Sequence, residues 1–361
     1  MGEKIDAVRL KRSDLDSATY RQLIQSLFVK GQVDHRIRYA RWLFEENCAL
    51  KNDEQLPIYL CSIDSNAVGQ LAIIPVEISL AGRPIRGGWC VDFYVNPHFQ
   101  RRGIGIKLLN AAYQDFPVLM TLGQTDSSFD LFVSKFGWHH EDYRLTSYKS
   151  FLRTHLLVKY LFKKMGLLKT KEEPRSLPQK KYEPPGGVLF RSMDSFENIT
   201  DPLNCQDEKD PKAAMVLRTP AFLEWRYIRH PFIKYNLNHI RPTRCCDIYV
   251  VWRMVHDDFW RRAALVDILY ENGTPVTAMK IALKALMQCA SFYGAQIFEC
   301  QTTDQLVLKA LPDSLLSVKK PAARFLYGMQ NMAECPLIPI SQWKLYAGDC
   351  DLETLDFEKS T

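Results

Sequence analysis

Between Val91 and Leu109 the chain reads Val-Asp-Phe-Tyr-Val-Asn-Pro-His-Phe-Gln-Arg-Arg-Gly-Ile-Gly-Ile-Lys-Leu-Leu. The part of it that could do chemistry is Gln100-Arg101-Arg102-Gly103-Ile104-Gly105. Two glycines let backbone approach a ligand closely, and a helix that starts here leaves several N–H groups without partners. Such a terminus carries roughly half a positive charge, and Arg101 and Arg102 add full charges beside it, so a pyrophosphate is the natural guest. The spacing is neither G-x-G-x-x-G nor G-x-x-x-x-G-K-[ST], which excludes the dinucleotide fingerprint and the P-loop.

Other side chains are candidates for chemistry. Asp92 is the first choice for a general base or amine-orienting carboxylate, because an Asp in an apolar strand is costly to bury without a specific partner. Its plainer alternative is a bond to neighbouring backbone or to an arginine across the sheet. Asp126, with Ser127 and Ser128 beside it, reads as a helix cap. His139 and His140 point to opposite faces if extended, which leaves metal binding without enough ligands. Cys90 reads as a small core residue, since no His-Asp context would activate it. Trp225, Tyr227, Arg229 and His230 could face a ring, although the two aromatics also read as core.

The elements that must position these groups follow from periodicity. Ala7 to Arg12 reads as a strand, Ser13 caps a helix reaching about Phe28, and Ile37 to Phe44 lie on a second helix. A hairpin spans Ile58 to Ile63 and Val68 to Leu80, and a turn at Ala81-Gly82-Arg83 leads into the strand Trp89 to Val95. A helix from Ile104, a strand Pro117 to Leu122, and a helix with Phe129, Phe132, Val133 and Phe136 on one face complete the run. The helix stops at Gly137-Trp138.

This order, with Val95-Asn96-Pro97 ahead of Gln100, Gly103 and Gly105, resembles the GCN5-related N-acetyltransferase (GNAT) superfamily over roughly residues 5 to 150. The resemblance implies acetyl-coenzyme A, or another acyl-coenzyme A, as co-substrate and no metal. It implies that Phe93, Val95, Gln100, Arg101, Arg102, Gly103, Ile104, Gly105, Ile106 and Ser128 hold it, and that a backbone N–H of Tyr94 or Val95 polarises the acyl carbonyl. Asp92 and Tyr94 are the implied catalytic positions. Where many members carry a tyrosine that protonates the departing thiolate, this chain has Val133; Tyr94 and Tyr113 are nearby phenols.

Beyond that segment, Phe151 to Leu168 reads as a basic amphipathic helix and Lys169 to Gly187 as a linker rich in Lys, Glu and Pro. The rest repeats the first half in weaker form: strands at Val188 to Met193, Tyr235 to Ile240, Ile248 to Met254 and Ala263 to Tyr270, a helix from Pro275, and a strand Gln296 to Cys300. Phe222 to His230 echoes Arg38 to Phe44, and Asp267 echoes Asp92. After Tyr270 the loop Glu-Asn-Gly-Thr-Pro lacks the second glycine and the arginines. Trp343 to Asp351 reads as a last strand and an acidic turn. The expected architecture is therefore α/β (α+β), two GNAT-like domains, each a mixed, mostly antiparallel sheet flanked by helices. The division is 1–150, a 151–187 connector, and 188–361 as a degenerate second domain forming a substrate wall.

Composition fits this. The chain has 361 residues, 47% hydrophobic and 24% charged, with a net charge of +6, which suits two domains of a globular protein and falls short of a dedicated nucleic-acid binder. Ten cysteines are scattered without a zinc or disulfide pattern, and no apolar run suits a signal peptide or a bilayer span, so a cytoplasmic setting without integral membrane association is expected. The expected activity is acetyl transfer to the amine of a small molecule, an amino sugar or amino-acid derivative, in a monomeric pseudo-dimer or a homodimer. The alternatives are a long-chain acyl or aminoacyl transferase and a non-catalytic coenzyme A-binding module.

Overall fold

The computed structural model describes residues 6–350 except 28–31, 51–53, 65, 142–143, 154, 157, 159–161, 163–164, 166–181, 185–186, 198, 200–212, 244–245, 257–259, 315, 331 and 333–334. In chain order the first elements are β1 (Ala7–Lys11), α1 (Ala18–Leu27), α2 (Val33–Phe44), β2 (Gln55–Ile63), β3 (Asn66–Leu80), β4 (Arg83–Val95), α3 (Ile104–Asp115), β5 (Val118–Leu122) and α4 (Asp126–Asp130). They continue with β6 (Arg144–Phe151), β7 (Leu189–Met193), β8 (Ala214–Val216), α5 (Pro220–Leu223), β9 (Asn236–Thr243), β10 (Cys246–His256) and β11 (Arg261–Tyr270). The last are α6 (Val276–Phe292), β12 (Ile297–Thr302), α7 (Gln305–Ala310), β13 (Ser317–Met329) and β14 (Trp343–Lys344). The fold is mixed α/β, with mostly antiparallel sheets flanked by helices. Most of the Phe151–Leu168 helix and the linker up to Lys181 lie outside the described residues.

Two compact units result, and they cut across a division at residues 150 and 188. The first comprises Met1–Tyr143, Glu208–Phe232 and Arg324–Gln342; the second comprises Arg144–Asp207, Ile233–Ala323 and Trp343–Thr361. The physical reason lies in strand pairing. In the first unit β1, β2, β3 and β4 form an antiparallel run, β4 and β5 are parallel, and β5 takes Phe325–Met329 of β13 as its antiparallel neighbour. In the second, β7, β9, β10 and β11 repeat the run, β11 and β12 are parallel, and β12 takes β6 as its antiparallel neighbour. A strand left at an open sheet edge exposes a row of N–H and C=O groups. Here each unit closes that edge with a strand from the other half of the sequence.

The first unit is closed further by segment 213–232. Here β8 pairs with the end of β3, and Trp225 and Trp42 exchange hydrogen bonds: each indole Nε1 donates to the other's carbonyl, at 3.1 and 3.0 Å, with the rings stacked at 5.0 Å. The two segments that echo each other in sequence are thus paired in space. Both aromatics named in that cluster are core, with Trp225 1% and Tyr227 2% exposed.

Two boundaries differ from the sequence expectations, and the terminal acidic turn agrees with them. The first helix begins at Ala18, because Ser17 rather than Ser13 supplies the cap, its Oγ accepting from the Tyr20 N–H. At α4 the cap is Thr125, not Asp126, and the helix widens into a π-helical turn at Leu131–Lys135, which shifts the apolar face that a 3.6 period implies. The terminal acidic turn is closed by Asp349, whose Oδ2 accepts from the Tyr346 N–H at 2.7 Å.

Candidate active site

The site is assembled where β4 ends and α3 begins. Leu108, Leu109, Ala112 and Tyr113 of α3 are buried against Tyr59, Cys61, Leu71 and Ile73 of the sheet. Each such burial contributes about 1.5–3 kcal/mol for the larger side chains. That packing fixes where the helix N-terminus points. Between strand and helix, Asn96 accepts from the His98 N–H at 3.1 Å, and Pro97–Phe99 make a short 3₁₀ turn. The Gln100 side chain donates back to the Val95 carbonyl at 3.1 Å. It therefore ties the loop to the strand.

Two residues then take left-handed backbone, Arg101 at φ 61° and Gly103 at φ 78°. Glycine adopts this region without the penalty of about 1 kcal/mol that a Cβ brings. The first bond of the helix is Lys107 N–H to the Gly103 carbonyl, and among the described residues the N–H groups from Arg101 to Ile106 make no backbone hydrogen bond. This is a cradle of donors. A Cβ on Gly103 would meet nothing within 4 Å, so the loop is open on that side, whereas a Cβ on Gly105 would lie 3.0 Å from Leu131 and 3.2 Å from Phe93. Gly103 thus serves conformation and Gly105 serves packing. Arg101 and Arg102 are exposed, and Arg102 lies over the Phe99 ring at 5.2 Å.

The strand leading into the loop is bent. Gln70 faces Tyr94 across the β3–β4 pair, but Ala72 faces Val91, so Asp92 and Phe93 together oppose Leu71 as a β-bulge, and Asp92 sits at φ 49°. A bulge of this kind re-aims side chains and ends regular pairing. Its neighbour β5 pairs with β4 only over Gly87–Trp89, so beyond Trp89 the two parallel strands have separated. A Cβ on Gly69 would touch Ile104 and Leu108, which sets that face toward α3 and sets Gln70, with Tyr94 opposite, toward the other. Phe93 and Val95 pack into the core beneath α3. What they offer the loop is backbone.

Tyr20 of α1 is 3% exposed. Its phenol is raised above the usual range, first by burial and then by the charge of Asp92, so Tyr20 and Asp92 are neighbours. Gln70 is entirely buried, yet neither Oε1 nor Nε2 has a hydrogen-bond partner. Sequence reasoning missed both. The available signal for Gln70 was a lone amide in the apolar run Val68–Ile74.

Several expected groups lie elsewhere. The Ser128 hydroxyl bonds within its own turn, to the Thr125 carbonyl at 3.0 Å. Tyr113 is core, stacked on Phe136 and pushed up by burial. Burial likewise raises the Cys90 thiol. His139 pairs with Tyr327 through backbone and ring, and burial lowers its pKa, while His140 meets Phe129 edge-on. In the second unit the Asp267 side chain is wholly buried and accepts from the Ile268 N–H at 3.0 Å. No group of three or more His, Cys, Asp or Glu among the described residues could hold a metal ion, and no described helix is long and apolar enough to cross a membrane.

A family model for acetyltransferases of the GNAT family matches residues 19–119, the segment that holds this loop and bulge. Solved structures extend the likeness to most of the chain. One is a protein of Enterococcus faecalis V583 described as a probable N-acyltransferase, at 10% identity and TM-score 0.56, covering 91% of this chain and 72% of that one. A GCN5-related N-acetyltransferase from Kribbella flavida gives 14%, 0.56, 90% and 71% in the same terms. Saccharomyces cerevisiae N-myristoyltransferase with bound myristoyl-CoA gives 10%, 0.52, 91% and 83%. At such identities these structures establish the fold. No curated protein matches the chain. The segment that holds the loop and bulge is thus similar to the GNAT family, and the fold across the chain is that of GNAT-type acyltransferase structures.

Proposed function

We propose that the first unit binds acetyl-coenzyme A through the β4–α3 loop and transfers its acetyl group to the amine of a small molecule by direct attack. The observation that carries this reading is the run of unengaged N–H groups from Arg101 to Ile106 at the start of α3, beside two exposed arginines. Oriented donors at a helix N-terminus favour a pyrophosphate. The donor set therefore fits the cofactor. Backbone of Gln100, Arg101, Arg102, Gly103, Ile104, Gly105 and Ile106 would hold it, with Phe93 and Val95 contributing main chain. When bound, the cofactor supplies an acyl thioester.

The rest is work for this chain's residues. Where β4 parts from β5, a backbone N–H of Tyr94 or Val95 polarises the acyl carbonyl, which is the largest electrostatic contribution such a site can make. Asp92 orients the acceptor and takes its proton, next to Tyr20, and the unpaired amide of Gln70 hydrogen-bonds the acceptor. A covalent route through Cys90 is disfavoured, since its thiol is buried and held protonated. With Val133 half-buried and Tyr113 in the core, the departing thiolate takes its proton from solvent.

The test is release of free coenzyme A thiol against a panel of amines, repeated with acyl chains of increasing length. Amine-dependent release that falls with chain length supports acetyl transfer. Release that rises with chain length points to the long-chain reading, and thiol release that no amine stimulates defeats the proposal. Asp92→Asn should lower kcat/KM by about a hundredfold without changing coenzyme A affinity.

A further inference from the structure

A cavity of about 580 Å³ lies within the second unit, a size within the usual range for small-molecule sites. Trp252 and Asn238 form its buried floor, and Cys289 of α6 and Tyr293 just past the helix end contribute to its wall. Tyr182 and Phe190 close it with their rings 5.4 Å apart. These walls are held in place. The Tyr182 hydroxyl donates to Gln288 Oε1 at 3.2 Å, and Asn238 accepts from Trp252 Nε1 at 2.7 Å while donating to the Arg191 carbonyl at 3.4 Å.

Among the described residues no Asp, Glu or Lys lines it, and the lining cation is Arg191. Arg191 pairs with His239, whereas Ser192 pairs with Asn238, so the Arg191 side chain leaves the sheet on the face away from Asn238 and presents its carbonyl to the cavity. Burial pushes the Cys289 thiol up to about 12, so it stays neutral. A charged guest would lose its hydration with no counter-ion, a cost of several kcal/mol.

Polar capacity remains at the exposed rim. Asn236 Nδ2 reaches the Trp252 carbonyl at 3.5 Å, and among the described residues neither Asn236 Oδ1 nor the Ser192 hydroxyl has a hydrogen-bond partner. Ser192 pairs with Asn238, so Asn236 stands diagonally from it on the same face of the paired strands; an acceptor and a hydroxyl donor at that spacing can be bridged by a carboxamide, whose N–H would donate to Asn236 and whose C=O would accept from Ser192. The ring-lined interior suits a flat π system. We infer that the second unit carries its own ligand site, for an uncharged aromatic ring bearing a carboxamide edge, ring inward and amide at the rim.

The experiment uses the whole chain and three probes with one ring and three charges: nicotinamide, nicotinate and 1-methylnicotinamide, titrated by calorimetry and by tryptophan fluorescence. Nicotinamide should bind roughly tenfold or more tighter than either ion. Tyr293→Ala should weaken it roughly tenfold by removing one ring wall, and Asn236→Asp should turn the preference toward 1-methylnicotinamide, a gain that misfolding cannot imitate. Unchanged coenzyme A affinity in both variants verifies that the fold persists. The inference is overturned if nicotinamide gives no signal at about 10 mM, if nicotinate binds equally well, if Tyr293→Ala has no effect, or if Asn236→Asp keeps the neutral preference. None of these outcomes bears on acyl transfer in the first unit.

Discussion

The joint after β4 and the joint after β11 occupy the same place in two like units, and only the first sets a run of N–H groups without backbone bonds beside two exposed arginines. After β4 the chain runs through an Asn-capped turn, two left-handed residues and two arginines before α3 begins. After β11 it closes on itself: the Thr274 N–H and hydroxyl both bond to the Glu271 carbonyl, at 3.1 and 2.6 Å, and Pro275, which has no N–H, leads into α6. A helix N-terminus alone is thus not enough. The donors must be left open and flanked by positive charge, and the second loop spends one on its own turn and lacks another.

The far ends of the same helices differ in the opposite sense. At the end of α3, Asp115 accepts from the Tyr59 hydroxyl at 2.5 Å and faces Arg9 at 3.6 Å, which fills the space with a polar knot. At the end of α6 lies the cavity lined by Tyr293 and Cys289. Each unit therefore keeps one end of its helix open and the other closed.

The sharpest way to break the first contrast is to place the same residue in both loops. Gly103→Asp adds left-handed strain and a negative charge among the donors, and should weaken coenzyme A binding by about a hundredfold in calorimetry. Gly273→Asp, at φ 85° with open space around it, should leave that affinity unchanged and cost about 1 kcal/mol of stability. Equal losses in the two variants would erase the distinction between the loops.

A second contrast lies in the parallel strands. β5 is apolar through Val118–Met120, whereas β12 carries Glu299, 6% exposed, held by Arg262 at 2.8 Å and Lys149 at 3.0 Å. Burial pushes this carboxyl up, but the two cations outweigh it and the pKa is net lowered. A carboxyl lowered on folding adds stability above its unfolded pKa of about 4.5. That stability is lost as pH falls through the folded value. Glu299→Gln should cost about 2 kcal/mol in urea unfolding at pH 7 and flatten the decline below pH about 4.5.

Smaller effects refine the picture. Trp225→Phe removes one of the reciprocal indole bonds that tie segment 213–232 to α2, and should lower stability by about 1 kcal/mol with coenzyme A affinity retained. Arg102→Gln removes an exposed charge beside the loop. Coenzyme A binding should weaken roughly threefold at low salt, and less at high salt, because exposed charges are screened.

The cofactor loop was legible in sequence because its signal is local. A strand period, a Val-x-Pro turn, two glycines at fixed spacing and a helical period sit within a short stretch, and each is read from neighbours. The same holds for the missing loop after Tyr270. The swap of Asp126 for Thr125 as cap and the widening at Leu131–Lys135, where Phe132 packs against Phe93 and Trp138, were not legible from the 3.6 period. β13 was hidden for another reason. Lys319-Lys320-Pro321 interrupts its pattern, and its pairing with β5 is visible only in the fold.

What the sequence determined by itself is therefore most of the elements with a clear period, their order, and the place of the glycine-bearing loop between β4 and α3, because these follow from backbone preference and residue spacing. What only the tertiary structure decided is which half each closing strand serves, the bulge at Asp92, the unpaired buried amide of Gln70, and the cavity behind α6. Those depend on pairing between residues far apart in the chain, and a linear period carries no information about partners.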